Sequence, residues 1–363
     1  MADPTTDDQT DPSDPGWRIL AFPALGRRSG EGDWRVELEG VIYQSREIGL
    51  RKRMLLRVLR RVMKVDPAEF DPQLFRSRVE AFVGTTDKGW QPIVSLADGS
   101  ALRTRRTRSN GRFSGAFRLP ASVVAERTGN SANVADGAAS RFEVRVTGDA
   151  RGTVGSAPIF LVPDRGVSVV SDIDDTIKHT DVRQRREMLL NTFARPFAPV
   201  DGMARAYRRL AEQQVFFHYV SSSPWQLFTP LDALLREAEF PAGTIHLRNY
   251  RLRDHMLRRV FLLHRRGKGG VIRHLLESFP RRRFLLVGDS GERDPKIYCK
   301  LALKHPRQIA AILIRVLDEE HRRRLAERWN RSPILASRLV TFADADEFLE
   351  RSAPFLASGA ATV

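Results

Sequence analysis

At 363 residues, 42% of them hydrophobic, the chain has enough apolar material for two ordinary globular cores, which excludes a wholly disordered protein. Its formal net charge of +16 suits polyanionic partners such as anionic lipid or a phosphorylated substrate. An arginine-rich surface without a dedicated partner accounts for the charge equally well, and no zinc-finger spacing, RNP-like aromatic signature or helix-turn-helix points to specific nucleic-acid recognition. The single cysteine, Cys299, excludes a disulfide framework within the chain and a multi-thiolate metal site. No run of roughly 20 apolar residues is available to span a bilayer.

Residues 1–16 are acidic and Pro-rich and are expected to form a disordered lead-in. A secretory signal would instead be basic and then apolar, so a cytoplasmic location is expected. From Trp34 onward, apolar residues alternate with charged ones. Similar short runs at Arg78–Phe82, Gln91–Leu96, Gly111–Leu119, Arg141–Thr147 and Ala157–Val162 predict strands. Residues 17–165 therefore read as a small antiparallel β-sandwich-like domain. The Gly-, Ala- and Ser-rich stretch Glu126–Ser140 reads as a mobile loop. Within Leu50–Val65, Leu55, Val58, Leu59 and Val62 follow helical spacing, with Arg53, Arg57, Arg60 and Lys64 opposite them. This predicts a basic amphipathic helix that either caps the sandwich or lies on an anionic membrane.

After Val167 the pattern changes. Apolar strands are expected at Val167–Ser171, Val215–Val220, Thr244–Leu247, Phe284–Val287 and Ile309–Val316. Helices are expected at Gly202–Gln213, Gln226–Ala238, Gly270–Ser278 and Asp294–Lys304. Alternation of this kind predicts an α/β fold with a doubly wound parallel sheet over residues 166–355, followed by a tail at 356–363, with ligands bound outside the carboxyl ends of the strands.

Chemistry-bearing residues gather at those ends. Asp172, Asp174 and Thr176 follow the first strand, and if the chain stays extended they share one side while Asp175 points away. Paired acids facing one centre suit a hard cation such as Mg2+, or a division into acid and nucleophile, although a solvated acidic turn has the same composition. Ser221, Ser222 and Ser223 end the second strand, as a phosphate contact or as the cap of the next helix. Asp289 and Asp294 follow the strand at Phe284–Val287. Asp289 reads as a metal ligand, and Asp294 equally as a helix cap before Pro295. Lys268, in a Gly-rich approach, can balance a phosphate and keep Asp172 ionised.

Taken together, DIDDT, FFHYVS, the lysine of RGKGGVIRHLL and VGDSGERD resemble the four motifs of the haloacid dehalogenase superfamily. The longer strings DIDDTIKHTDV, YVSSSPWQL and LLESFPRRRFLLVGDSGERDPKIY resemble the catalytic domain of the actin-patch type phosphatidate phosphatases, over roughly Val167–Val316. The resemblance implies that Asp172 is a nucleophile forming an aspartyl-phosphate and that Asp174 is the general acid and base. It places Mg2+ on Asp172, the carbonyl of Asp174, and Asp289, with Asp294 supporting the metal or Lys268. Thr176, Ser221, Ser222 and Lys268 would hold the phosphoryl group. One departure is Lys296, where relatives commonly carry an acid; it lies past the motif and is expected to alter surface charge only.

A phosphatidate substrate and peripheral membrane contact are what this resemblance implies. The arginines between Arg248 and Arg266, mixed with Tyr250, Met256, Phe261 and Leu262, suit either a lipid headgroup with its chains or a plain solvated face. A phosphatase of a soluble phosphomonoester and a non-catalytic basic adaptor for membrane or nucleic acid are the competing functions. Nothing in the sequence sets an oligomeric state.

Overall fold

The structure is a computed structural model that describes residues 16–29, 32–44, 57, 63–64, 71–96, 99–128, 139–148, 153–248, 267–329 and 332–357. The expected lead-in apart from Gly16, most of the Leu50–Val65 helix, residues 129–138 of the expected Glu126–Ser140 loop and the arginine-rich stretch after Arg248 lie outside the described residues; Glu126–Thr128, expected in that loop, instead end the helix Ala121–Thr128. None of the described helices is long and apolar enough to cross a membrane.

The first half builds one mostly antiparallel sheet from β1 (Trp17–Ala21), β2 (Ala24–Arg28), β3 (Trp34–Gln44), β4 (Thr85–Thr86), β5 (Ile93–Ser95), β6 (Ala101–Arg103), β7 (Arg112–Leu119), β8 (Ser140–Thr147) and β9 (Val154–Val162). Strand β3 is the hub. At 11 residues it is long enough to pair with β1 and β2 along one edge and with β7 and β4 along the other. Its Trp34, Val36 and Leu38 are buried while Arg35 and Glu39 are exposed, as strand alternation requires. The backbone N–H of Thr104 donates to Pro92 (2.9 Å) and that of Arg105 to Ser114 (2.8 Å), linking the β5 end of the sheet to β7. The expected sandwich of two facing sheets is therefore one sheet curled around its core, with a parallel pair where β2 meets β9.

The strand expected at Arg78–Phe82 is instead part of a helix, Pro72–Val83. Asp71 accepts from the N–H groups of Gln73 (2.8 Å) and Leu74 (3.0 Å), an N-cap followed by Pro72 at the first turn. Phe75, Val79 and Phe82 then recur at helical spacing. Phe75 and Val79 pack with Met63, Leu189 and Leu190, so the period of 3.6 prevails over the short apolar run.

The second half forms a six-stranded, all-parallel sheet of β10 (Val167–Ser171), β11 (Phe216–Pro224), β12 (Gly243–Arg248), β13 (Arg283–Asp289), β14 (Ile309–Arg315) and β15 (Leu339–Phe342), in the order β12-β11-β10-β13-β14-β15. Alternate residues feed two cores. Val169, Phe217, Leu285 and Leu313 meet the helices Met203–Ala211, Phe228–Glu237 and Ala345–Ala357. Val170, Phe216, Leu286 and Ile312 meet Lys268–Ser278 and Asp294–Lys304. Burial on both faces explains why these strands read as continuous apolar runs. The order reverses at β10, which leads to β11 on one side and lies against β13 on the other, a switch point where strand ends open a crevice.

The two sheets share a seam. Phe160 of β9 packs on Phe216 (5.5 Å between centroids), Phe22 on Phe228 (5.1 Å) and Tyr43 on Trp225 (5.6 Å). Arg282, only 1% exposed, fixes the connection from β9 to β10. It donates to the Ser168 hydroxyl (2.7 Å) and to the carbonyls of Pro163 (2.8 Å), Arg165 and Val167 (2.8 Å). Gly166, at φ 110, leaves room for the guanidinium, since a Cβ there would lie 3.2 Å from Nη1. Arg282→Met should leave these buried acceptors unpaired and cost roughly 3 kcal/mol or more. Urea unfolding monitored by fluorescence checks this, with Arg282→Lys expected to recover only part of the loss.

Candidate functional site

The carboxyl ends of β10, β11 and β13 bring the motif residues together. Asp172 follows β10, and its N–H donates to the Val287 carbonyl of β13 (2.8 Å), which ties the first acid to the strand bearing Asp289. Lys268, at the start of the helix Lys268–Ser278, places Nζ 2.6 Å from Asp172 Oδ1, 2.5 Å from Asp294 Oδ1 and 3.6 Å from a Glu292 oxygen. All these side chains are buried. Thr176 donates to Asp172 Oδ2 (3.1 Å).

Asp172 and Thr176 converge, but not through strand alternation. The chain turns sharply at Ile173, whose carbonyl accepts from the N–H groups of Ile177 (3.0 Å) and Lys178 (3.0 Å), with Asp175 at φ 53. Asp175 does point away from the reacting side. Its carboxylate accepts from the backbone N–H groups of Thr180, Asp181 and Val182, each at 2.8 Å, and so folds the following loop. Such a left-handed turn is tolerable for Asp because its short side chain satisfies nearby N–H groups.

That loop returns Lys178 and Thr180 to Asp174. Asp174 Oδ1 receives Thr180 Oγ1 (2.8 Å) and the Lys178 ammonium (3.0 Å), while Oδ2 receives Ser221 Oγ (2.8 Å) and Ser223 Oγ (3.0 Å). Burial alone would raise its pKa. The charge of Lys178 and the hydrogen bonds from Thr180 and Ser221 prevail and hold Asp174 at about 2.

No serine of the Ser221–Ser223 run caps a helix, contrary to the capping expectation. Strand β11 continues through them to Pro224, paired at Pro224 with Arg248 after a register shift, and the 3-10 turn begins only at Trp225. The Ser221 and Ser223 hydroxyls are drawn to the buried carboxylate instead. Ser222 faces the cavity beside Lys268. Nor is Asp294 a cap, since Arg293 holds that position. The Asp294 carboxylate turns inward to Lys268 and accepts from Tyr298 OH (3.3 Å). Gly288 makes this possible, because a Cβ there would lie 2.8 Å from that of Asp294.

One oxygen from each of Asp172, Asp289 and Asp294 lies within 4.8 Å of the others. Asp289 Oδ1 accepts from Gly291 N and from Glu292 N (3.0 Å), whereas buried Oδ2 has no partner among the described residues. Burial, then the charges of Asp294 and Glu292, push Asp289 well above the carboxylate range. Glu292 is pushed up to about 7, first by burial, with Asp294 adding to it and Lys268 opposing. Lys268 is held protonated well above its usual range, since Asp172 and Asp294 outweigh its burial. Four carboxylates around the Lys268 ammonium cannot all ionise without a further cation, so burial and mutual repulsion raise Asp172 and Asp289 well above the carboxylate range, and this donor set could bind a metal ion. A cavity of about 710 Å³ opens beside the cluster, lined by Ser221, Lys268, Glu292 and Asp294 and, further out, by His246 and Arg248.

Lys178, Thr180 and Glu292 were not singled out by the sequence. Lys178 and Glu292 do sit inside the motif strings, but a lysine two residues after a turn and a glutamate in an acidic loop carry no signal of burial. Lys296 is exposed, in keeping with its expected surface role.

Comparison with known proteins places residues 167–316 in the family described as "Phosphatidate phosphatase APP1, catalytic domain". Phosphatidate phosphatase APP1 of Saccharomyces cerevisiae is 40% identical over 162 residues, covering 44% of this chain and 27% of that protein. An uncharacterized protein of Schizosaccharomyces pombe is 30% identical over 154 residues, covering 41% and 25%. The chain thus spans about a quarter of the length of these curated relatives. Among solved structures, D,D-heptose 1,7-bisphosphate phosphatase from B. bronchiseptica, complexed with magnesium and phosphate, aligns at 14% identity and TM-score 0.34, over 52% of this chain and 98% of that one. That likeness is too slight to inform the fold. The sequence match bears out the resemblance read from the motifs: residues 167–316 match the phosphatidate phosphatase APP1 catalytic domain.

Proposed function

We propose that the chain is a Mg2+-dependent phosphatidate phosphatase with a haloacid dehalogenase-like unit at about 166–355 and a β-rich unit at 17–165, releasing diacylglycerol and phosphate through an aspartyl-phosphate. The observation that carries the chemistry is the buried meeting of Asp172, Lys268, Asp289 and Asp294, from three separated stretches of chain. The lipid substrate rests on the 40% identity to the yeast enzyme. Cytoplasmic placement with peripheral contact at an anionic membrane belongs to the same reading.

In the proposed reaction an Asp172 carboxylate oxygen attacks phosphorus and the bond to the substrate alcohol breaks. Asp174 delivers a proton to the departing alkoxide. It then takes a proton from water, whose oxygen attacks the aspartyl-phosphate and frees Asp172. Lys268, Ser221, Ser222 and Thr176 supply positive charge and donors for the phosphoryl oxygens. Asp174 is anionic in the substrate-free site, and the dianionic phosphoryl group arriving beside it raises its proton affinity, which suits the first step. Asp172, Asp289 and Asp294, with the Asp174 carbonyl, would hold Mg2+, which neutralises charge on the transferring group when bound. All-oxygen donors favour this ion over softer metals.

Asp172→Asn should lower Mg2+-dependent phosphate release by roughly 10⁴-fold or more while circular dichroism stays native. Release by the purified variant at the wild-type rate would remove the mechanism. Asp289→Asn replaces a buried carboxyl that stays protonated without metal, so thermal stability without divalent ion should hold, while the upward shift on adding Mg2+ should vanish. A thermal-shift series with Mg2+ and with EDTA measures both. For the substrate, phosphatidate in mixed micelles is compared with a panel of soluble phosphomonoesters; preference for the soluble panel defeats the lipid assignment and leaves the phosphatase chemistry standing.

A further inference from the structure

The proposed chemistry leaves unused a buried polar row on the sheet face covered by the helix Lys268–Ser278. His218 of β11 and Thr244 of β12 are register partners, and His246, two residues on, shares their side of the sheet. Thr244 Oγ1 lies 2.8 Å from His218 Nδ1 and 2.8 Å from His246 Nε2. His218 and Thr244 are fully buried among apolar neighbours. His246 is half-buried and lines the cavity that also holds Ser221 and Lys268. His218 Nε2 is buried with no hydrogen-bond partner among the described residues.

Thr244 has one hydroxyl proton, so it donates to one ring and must accept from the other. If it donated to His218, the orphan His218 Nε2 would carry a buried N–H without an acceptor, an arrangement folded proteins rarely tolerate. The positive charge of Arg282, which acts on this ring, also favours a bare nitrogen there. The consistent assignment has His218 Nδ1–H donating to Thr244 and Thr244 donating to His246 Nε2. His246 then carries its proton on Nδ1. Burial, then the charge of His274, lowers its pKa to about 4, so the ring is neutral at physiological pH.

We propose that His246 is a positioning residue whose Nδ1–H donates to an uncharged oxygen, an ester carbonyl or hydroxyl, on the alcohol portion of the bound phosphomonoester, with Thr244 and His218 fixing the donor tautomer. This rests on the phosphatase reading above. A neutral ring matches a neutral acceptor, whereas the phosphoryl dianion is met by Lys268. Val271 and Ile297 line the same cavity and suit the aliphatic remainder of such an alcohol.

Long-range proton–nitrogen spectra of the full chain should show His246 protonated at Nδ1 and bare at Nε2. Thr244→Ser should keep that tautomer and Thr244→Val should lose it. Titration with dioctanoyl phosphatidate should shift the Nδ1 resonance, and inorganic phosphate alone should not. In kinetics, His246→Ala should raise KM for dioctanoyl phosphatidate by roughly 3–10-fold with kcat nearly unchanged, and leave KM for phenyl phosphate as it was. A bare Nδ1 in the resting protein, an Nδ1 resonance unmoved by the lipid, or equal KM changes for both substrates overturns the proposal. Hydrolysis of neither substrate by the wild type defeats the phosphatase reading instead, and the spectra with the lipid titration then decide the role of His246 alone.

Discussion

The ammonium of Lys268, buried between Asp172 and Asp294 at 2.6 and 2.5 Å, is the contact on which the arrangement of the site depends. Withdrawing one such charge from water costs several kcal/mol, and only close partners with good geometry offset that. Lys268 has them because three chain segments are held at fixed positions around it: the end of β10, the first turn of the helix Asp294–Lys304, and its own helix. In return it is, among the described residues, the one ammonium in contact with Asp172, Asp294 and Glu292. With Asp289 beside them and one of its oxygens unpaired among the described residues, full ionisation of the cluster would carry more negative charge than Lys268 can balance. That imbalance is the physical reason to expect a second cation.

Asp174 is managed differently. Its two oxygens are saturated by Lys178, Thr180, Ser221 and Ser223, so it is set apart from the lysine-linked cluster by its own positive partner. Two aspartates two residues apart thus sit in opposite electrostatic surroundings. The device that separates them is Asp175, which bends the chain through a left-handed turn and ties down the loop carrying Lys178 and Thr180. A catalytic division of labour between neighbouring acids needs this kind of asymmetry, because equal surroundings would give equal proton affinities.

The scaffold serves the same end. Reversal of strand order at β10 opens a crevice between β11 and β13 at the level of Asp172, and Arg282 clamps the opposite end of β10 to the connection from the curled sheet. The aromatic contacts Phe22–Phe228 and Tyr43–Trp225 seat that sheet against the segment following β11. The curled sheet therefore buttresses the parallel sheet at several points.

Much of this was legible in the sequence. Continuous apolar runs such as Phe284–Val287 announced strands buried on both faces, and amphipathic spacing located the helices between them, because burial imposes a period that composition must obey. Acids, hydroxyls and a lysine at successive strand ends marked Asp172, Asp174, Ser221, Lys268 and Asp289 as one candidate site. What failed were local inferences about direction. Alternation fails past Ser171, where the chain turns at Ile173; the capping alternative fails for Ser221, Ser223 and Asp294, which pair across space; and Arg78–Phe82 reads as a strand although Asp71 and Pro72 begin a helix. The sequence by itself determined five of the six strands of the parallel sheet, all but β15, with four of the helices around it, and which residue types gather at the strand ends, since those follow from periodicity. Only the tertiary structure decided which charge each carboxylate faces, through Lys178 for Asp174, Lys268 for Asp172 and Asp294, and no partner for one oxygen of Asp289, because Coulomb energies depend on distance and burial between residues that the chain separates.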